Sequence, residues 1–163
     1  MAGCEGPVGQ DRIVVIECNI DDMTGEQLGY LLDQLLDAGA LDAWHTPIQM
    51  KKSRPGTMLS VLCRKGERER LGSLLLRESS TLGVRWHQME RMVAKRKIVT
   101  VETDWGPVSC KLKIIDGTVF GIKPEYDDCA TIAQEYGMRL ALVQQTVLDI
   151  AKRSLDHTES SEA

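Results

Sequence analysis

Along residues 12–93, apolar positions follow two rhythms, one typical of strands and one typical of helices. Four short segments read as strands, and two of the segments between them carry leucines at helical spacing. We predict strands at residues 12–19, 42–49, 58–63 and 83–92, and helices at residues 24–38 and 67–78.

The first helix carries recognisable signals at both ends. Thr24 is followed three residues later by Gln27, the spacing of a capping box, and Gly39 stands where the helix is expected to end. The apolar face expected on this helix consists of Leu28, Leu31, Leu32, Leu35 and Leu36. The second helix is expected to turn Leu71, Leu74 and Leu75 inward.

The order of these elements is strand, helix, strand, strand, helix, strand, which predicts a ferredoxin-like βαββαβ fold. A doubly wound parallel sheet would need a helix between the second and third strands, but only the turn at residues 51–56 lies there. We therefore expect one sheet with the strand order 4-1-3-2.

Residues 95–153 have a different pattern and predict a three-stranded meander followed by two helices, so the fold class is α+β. Asp116-Gly117 is a dipeptide that favours a type I′ hairpin turn. The strands are expected at residues 97–103, 108–115 and 118–122, and the helices after Pro124 and at residues 139–152. The inward residues are expected to be Cys129, Ile132, Ala133, Tyr136, Leu140, Val143, Val147 and Ile150. A subdomain boundary is expected near residues 94–96, with a first subdomain at residues 12–94 and disordered tails at residues 1–11 and 154–163.

Composition narrows the class of protein. The 163 residues are 42% apolar and 27% charged, with a net charge of −4, which is typical of a globular protein. A nucleic-acid-binding protein usually carries a basic excess, and a membrane helix needs about 18 consecutive apolar residues, so neither partner is expected. The five cysteines form no C-x-x-C pair, and no signal peptide is recognised, which together favour free thiols and a cytoplasmic location.

The predicted topology brings three polar loops to one edge of the sheet. They follow the first strand (residues 19–26), join the second and third strands (residues 51–56), and precede the fourth strand (residues 77–85). The first contains Asp21 and Asp22, whose carboxylates suit a divalent cation such as Mn²⁺ or Mg²⁺. The alternative is that both acids only complement the dipole of the following helix.

The other two loops carry the candidates for phosphate binding. Lys51, Lys52 and Arg54 form a compact basic cluster, which is what a triphosphate needs, unless the cluster is only a solvated hairpin tip. The third loop would complete the pocket with Ser80, Thr81, Gly83 and Arg85. Neither a Walker A motif nor a G-x-G-x-x-G motif is present, so the combination of loops is the signal for a metal-nucleotide pocket. No general acid or base is assigned.

Four longer motifs stand out in the chain: Cys18-Asn-Ile-Asp-Asp-Met-Thr-Gly-Glu-Gln-Leu-Gly-Tyr30, Thr46-Pro-Ile-Gln-Met-Lys-Lys-Ser-Arg-Pro-Gly56, Arg77-Glu-Ser-Ser-Thr-Leu-Gly-Val-Arg85 and Pro124-Glu-Tyr-Asp-Asp-Cys129. Together they resemble the C-terminal half of the LarC family, the nickel insertases of nickel-pincer cofactor biosynthesis. The resemblance extends over about residues 12–152. Cys18 stands where Thr is commoner in that family.

The resemblance implies a CTP-dependent nickel insertase of the lyase class. Proteins of this kind insert Ni²⁺, their substrate metal, into a thiocarboxylated pyridinium mononucleotide with the help of Mn²⁺ or Mg²⁺, and CTP is cleaved to CMP and pyrophosphate. The product is the cofactor of lactate racemase-type enzymes. The C-terminal half would bind CTP and form a homo-oligomer, a trimer or hexamer, and would depend on an N-terminal LarC half for nickel. The alternative is a non-catalytic ferredoxin-like module for small-ligand binding, regulation or oligomerisation.

Overall fold

The computed structural model describes residues 9–159. The strands are β1 (Gly9–Ile20), β2 (Asp42–Met50), β3 (Arg54–Arg64), β4 (Arg85–Val93), β5 (Lys95–Thr103), β6 (Gly106–Ile115) and β7 (Thr118–Pro124). The helices are α1 (Gly25–Asp37), α2 (Arg68–Glu78), α3 (Tyr126–Glu135) and α4 (Leu140–Glu159). These elements follow the predicted order, and the predicted α+β class is confirmed.

The expected terminal tails lie partly outside the described residues, at residues 1–8 and 160–163. Within the described part, both tails are shorter than expected. Residues 9–11 already belong to β1, where Asp11 accepts two hydrogen bonds from Arg91 of β4, at 2.7 and 2.8 Å. Residues 154–159 continue α4. Extending a helix that has already formed adds a hydrogen bond per residue without a new nucleation cost.

The chain divides into two compact units, the first of which is Gln10–Arg91. Its sheet has the order β2-β3-β1-β4, as predicted, and β3 pairs antiparallel with both β1 and β2. Alternate residues of β1 and β3 enter a core with α1 and α2, because side chains of a strand point to opposite faces in turn. The division falls after Arg91, a few residues before the expected boundary.

Helix α1 shows the predicted capping box. Thr24 Oγ1 accepts from the backbone N–H of Gln27 at 3.3 Å, and Gln27 Oε1 accepts from the backbone N–H of Thr24 at 2.9 Å. Gly39 has a φ of +86°, the left-handed conformation that favours glycine after a helix. Leu36 was expected in the core but is 41% exposed, because it lies at the margin of the apolar face.

The second unit contains the β5-β6-β7 meander with α3 and α4. Asp116 and Gly117 have φ values of 51° and 80°, which confirms the predicted turn between β6 and β7. One face of the sheet packs with both helices around Val101, Val108 and Cys110. Tyr136 was expected to point inward, but it caps the end of α3 and is 50% exposed. Among the described residues, no helix combines the length and apolarity needed to cross a membrane.

Candidate functional site

The loop between β1 and α1 forms hydrogen bonds with both of the other loops at its edge of the sheet. Asp21 Oδ2 accepts a hydrogen bond from Arg54 Nη1 at 3.1 Å, which joins it to the β2–β3 loop. Asp22 Oδ1 accepts from Ser80 Oγ, which joins it to the α2–β4 loop. The three loops predicted to converge therefore do so, with the two adjacent carboxylates between them.

The basic loop combines an anchored arginine with two unanchored lysines. Arg54 begins β3 and pairs with Asp21, whereas Lys51 and Lys52 are exposed and form no ion pair with any described residue. Lys52 and Ser53 have φ values of 59° and 57°, a conformation that costs non-glycine residues about 1–2 kcal/mol each. Strain of this kind tends to be retained where a loop has a function.

Gly56 explains how the hairpin can approach the end of β1. A β-carbon at this position would lie 2.9 Å from the carbonyl oxygen of Ile20 and 2.6 Å from Met50 Sδ, closer than van der Waals contact permits. Only glycine allows the two backbones this proximity. Pro55 and Gly56, which fall in the turn predicted at residues 51–56, lie within β3, and Gly56 serves close packing there.

Thr81 and Gly83, two of the predicted site residues in the third loop, form a hydrogen bond with each other. Thr81 Oγ1 donates to the carbonyl of Gly83 at 3.0 Å, and Ser79 Oγ donates to the carbonyl of Leu75 at 2.6 Å. Of the hydroxyls in this loop, Ser80 is the one that contacts the acidic loop.

Arg85 is anchored on the sheet rather than on the loops. Its Nε donates to Glu17 Oε2 at 3.1 Å, and its Nη2 donates to Asn19 Oδ1 at 3.0 Å and contacts Met58 Sδ at 3.2 Å. Sequence reasoning did not select Glu17, which is only 19% exposed. The available signal was the pair of polar residues two positions apart, Glu17 and Asn19, in an otherwise apolar strand.

The four described cysteines are buried and unlinked, as expected for small apolar residues of the core. Burial raises the pKa of Cys18 and of Cys110 to about 11, and it also raises the pKa of Cys63 and Cys129. These thiols therefore stay protonated at neutral pH and offer no thiolate to a metal or substrate.

A profile of the nickel insertion protein family matches residues 3–144, which is most of the chain. The chain belongs to this family. The resemblance seen in the sequence motifs is thereby confirmed.

Curated relatives within the nickel insertion protein family have informative names. A Myxococcus xanthus (strain DK1622) protein named for nickel insertion is 50% identical over 124 residues, 76% of this chain and 32% of its own length. The pyridinium-3,5-bisthiocarboxylic acid mononucleotide nickel insertion protein of Lactiplantibacillus plantarum is 42% identical over 146 residues, 90% of this chain and 34% of its own. The chain thus spans about a third of the length of these relatives.

A solved structure within the family matches the fold closely. It is LarC2, the C-terminal domain of a cyclometallase involved in the synthesis of the NPN cofactor of lactate racemase, in its apo form. The TM-score is 0.82 at 41% sequence identity, over 88% of this chain and 99% of that chain. A protein from Methanopyrus kandleri AV19 matches with a TM-score of 0.65 at 25% identity, over 86% of this chain and 89% of that chain.

The donor set at the loops suits a cation that is shared with a phosphate ligand. No group of three or more His, Cys, Asp or Glu side chains positioned for a metal occurs within residues 9–159. Mg²⁺ is commonly held by one or two carboxylates together with phosphate oxygens and waters. Asp21 and Asp22 can supply these one or two carboxylates, so the residues present fit an ion that binds together with a nucleotide.

Proposed function

We propose that this chain is the CTP-binding C-terminal part of a LarC-like nickel insertase that acts on pyridinium-3,5-bisthiocarboxylic acid mononucleotide. The family match, the name of the Lactiplantibacillus plantarum relative and the close structural match to LarC2 support this assignment. The activity is that of a CTP-dependent lyase whose substrate metal is Ni²⁺.

One observation supports the nucleotide site above all others: the three loops meet through Asp21–Arg54 and Asp22–Ser80 while two lysines stay unpaired beside them. Asp21 holds the guanidinium of Arg54 in place, so Arg54 can present its remaining N–H groups to a phosphate with little loss of side-chain freedom. Lys51 and Lys52 add mobile charges for the rest of the triphosphate.

The acidic loop has a complementary role in the proposal. Asp21 and Asp22 would hold Mn²⁺ or Mg²⁺ beside the triphosphate, where the cation offsets the charge of the phosphate oxygens. Ser80 positions Asp22 through its hydroxyl, and Arg85, anchored by Glu17 and Asn19, supports the adjoining strand edge. Thr81 and Gly83 shape the third loop through their mutual hydrogen bond.

Nickel would be delivered from elsewhere. Ni²⁺ favours imidazole and thiolate ligands, whereas this site supplies carboxylates, and the four described thiols are buried and protonated. We therefore propose an N-terminal LarC half as the partner that supplies the metal. We also propose, from the family resemblance, that the working form is a homo-oligomer, a trimer or hexamer.

Calorimetric titration with CTP, with and without Mn²⁺, tests the nucleotide site. We expect CTP to bind, and to bind more tightly with Mn²⁺ present. The double variant Lys51→Ala with Lys52→Ala should weaken CTP by about tenfold or more while it leaves the affinity for cytidine unchanged, because the lost charges face phosphates.

The matched control is Lys65→Ala with Lys152→Ala, which removes the same charge from exposed positions outside the three loops. CTP affinity should be unaffected in this control. Absence of CTP binding in both metal conditions would refute the nucleotide site, and an equal loss for CTP and cytidine would refute phosphate contact by the lysines.

A further inference from the structure

The three-stranded sheet has a basic outward face that the proposed nucleotide site does not use. Its inward face packs against α3 and α4 through Val101, Val108 and Cys110. Since strand side chains alternate between faces, the intervening residues share the opposite, exposed face. At the end of the sheet near Arg96, this outward face comprises Arg96 and Ile98 of β5, Lys111 and Lys113 of β6, and Gly121 and Lys123 of β7. The acid Glu102 shares the face at the other end of β5.

The register places like charges directly beside each other on this face. Arg96 pairs with Lys113 across β5 and β6, and Lys111 pairs with Lys123 across β6 and β7. Like charges directly opposite each other destabilise a sheet, so two such pairs side by side require an explanation. An anion bound between these side chains would be attracted by both cations and would offset their mutual repulsion.

Little of this positive charge is neutralised by the protein. Lys111 forms an ion pair with Glu125 at 2.7 Å. Within the described part of the chain, Arg96, Lys113 and Lys123 form no ion pair with a carboxylate. Three cations thus remain available to a ligand.

The face is also concave. A hollow of about 360 Å³ lies over the sheet, a size within the range of small-molecule sites, which starts near 300 Å³. Gly121 contributes no side chain to it, and the aliphatic stems of lysines and arginine flank it. A β-carbon at Gly121 would lie 3.9 Å from Lys113 Cβ, so the position has room for a larger residue.

We propose that this hollow binds a small organic phosphate that carries further acid groups, of the size of a mononucleotide. The flat ring of such a ligand would lie over Gly121 against the aliphatic stems, and its phosphate and carboxylates would pair with Arg96, Lys113 and Lys123. The preference for a multiply charged anion follows from the hollow, whereas the choice of a mononucleotide rests on the proposed function.

Binding of nicotinic acid mononucleotide to the full chain tests this inference, with nicotinamide mononucleotide and inorganic phosphate as comparisons. Nicotinic acid mononucleotide should bind most tightly, because it combines a phosphate with a ring carboxylate. Lys113→Ala with Lys123→Ala should weaken it by about tenfold or more through lost charge. Gly121→Val should weaken it similarly by filling the hollow without a change in charge.

Two controls separate this site from the nucleotide site and from an interface. Lys51→Ala with Lys52→Ala should leave nicotinic acid mononucleotide binding unchanged, and Lys113→Ala with Lys123→Ala should leave CTP binding unchanged. Melting temperatures should show that both hollow variants fold. The proposal is overturned if wild type binds none of the probes, if the hollow variants bind as wild type does, or if they change the sedimentation coefficient instead of the affinity.

Discussion

Arg54 Nη1 lies 3.1 Å from Asp21 Oδ2, although the two residues are 33 positions apart in the chain. The Asp21 side chain is 20% exposed and that of Arg54 is 56% exposed, so the acid is shielded and the guanidinium faces solvent. Ion pairs near the surface contribute at most about 1 kcal/mol to stability. The main effect of this ion pair is therefore to orient the Arg54 side chain, whose positive charge is held at the point where the loops meet.

We expect Arg54→Ala to weaken CTP binding by about tenfold or more, because a charge-assisted hydrogen bond is worth about 1.5–3 kcal/mol. Isothermal titration calorimetry measures the effect. Arg12→Ala is a matched control, since Arg12 also forms an exposed ion pair at 3.1 Å, with Glu90, outside the three loops. Equal affinities for the two variants would contradict a phosphate role for Arg54.

The carboxylates make a separate prediction about the cation. Asp21→Asn and Asp22→Asn should each reduce the gain in CTP affinity that Mn²⁺ produces, because an amide is a poorer ligand for a hard cation than a carboxylate. Without metal, CTP should bind Asp22→Asn at least as tightly as wild type, since a negative charge near the phosphates is lost, whereas Asp21→Asn also loses the carboxylate that orients Arg54. Asp33→Asn, an exposed position on α1, should change neither value. A full Mn²⁺ effect in both site variants would exclude these acids as ligands.

Gly56→Ala should lower the free energy of unfolding by about 1–3 kcal/mol, since the added methyl group meets the Ile20 carbonyl and Met50 Sδ. Chemical denaturation measures this loss. Gly29→Ala on α1 should have the opposite sign, with a gain of about 0.5–1 kcal/mol, because nothing lies within 4 Å of its β-carbon and alanine favours a helix. Unchanged stability in Gly56→Ala would show that the loops can separate at no cost.

The buried thiols predict a loss of stability at alkaline pH. The folded pKa of Cys18 is raised from 9.0 to about 11 by burial, so the unfolded chain loses its proton first as the pH rises. The contribution to stability is complete below pH 9 and is lost between pH 9 and about 11. Melting temperatures of wild type and Cys18→Ala should converge across this window, because the variant lacks the titrating group. Parallel curves would mean that Cys18 ionises equally in both states.

Much of the fold could be predicted because its signals are local. The capping box from Thr24 to Gln27 covers four residues, and the hairpin turn at Asp116-Gly117 covers two, so both can be recognised in a short window. The convergence of the three loops could also be predicted, since it follows from strand order. Leu36 and Tyr136 were placed inward wrongly, because periodicity defines an apolar face but not how far the neighbouring elements cover it.

The hydrogen-bond partners of the site residues could not be predicted from the sequence. Arg85 was expected to complete the phosphate or nucleotide pocket, but its partners Glu17 and Asn19, which lie 68 and 66 positions earlier in the chain, were not predicted. Asp22 and Ser80 are 58 positions apart. Such contacts depend on strand register and side-chain rotamers, which no local pattern specifies.

By itself, then, the sequence determined the order of the elements, the strand order of the first sheet and the three loops at its edge, because hydrophobic periodicity and turn chemistry act between near neighbours. Only the tertiary structure decided that Asp21 receives Arg54, that Gly56 lies against the Ile20 carbonyl, and that the basic residues of β5, β6 and β7 surround a hollow. Those relationships arise when register aligns distant residues, and their energies exist only once the chain has packed.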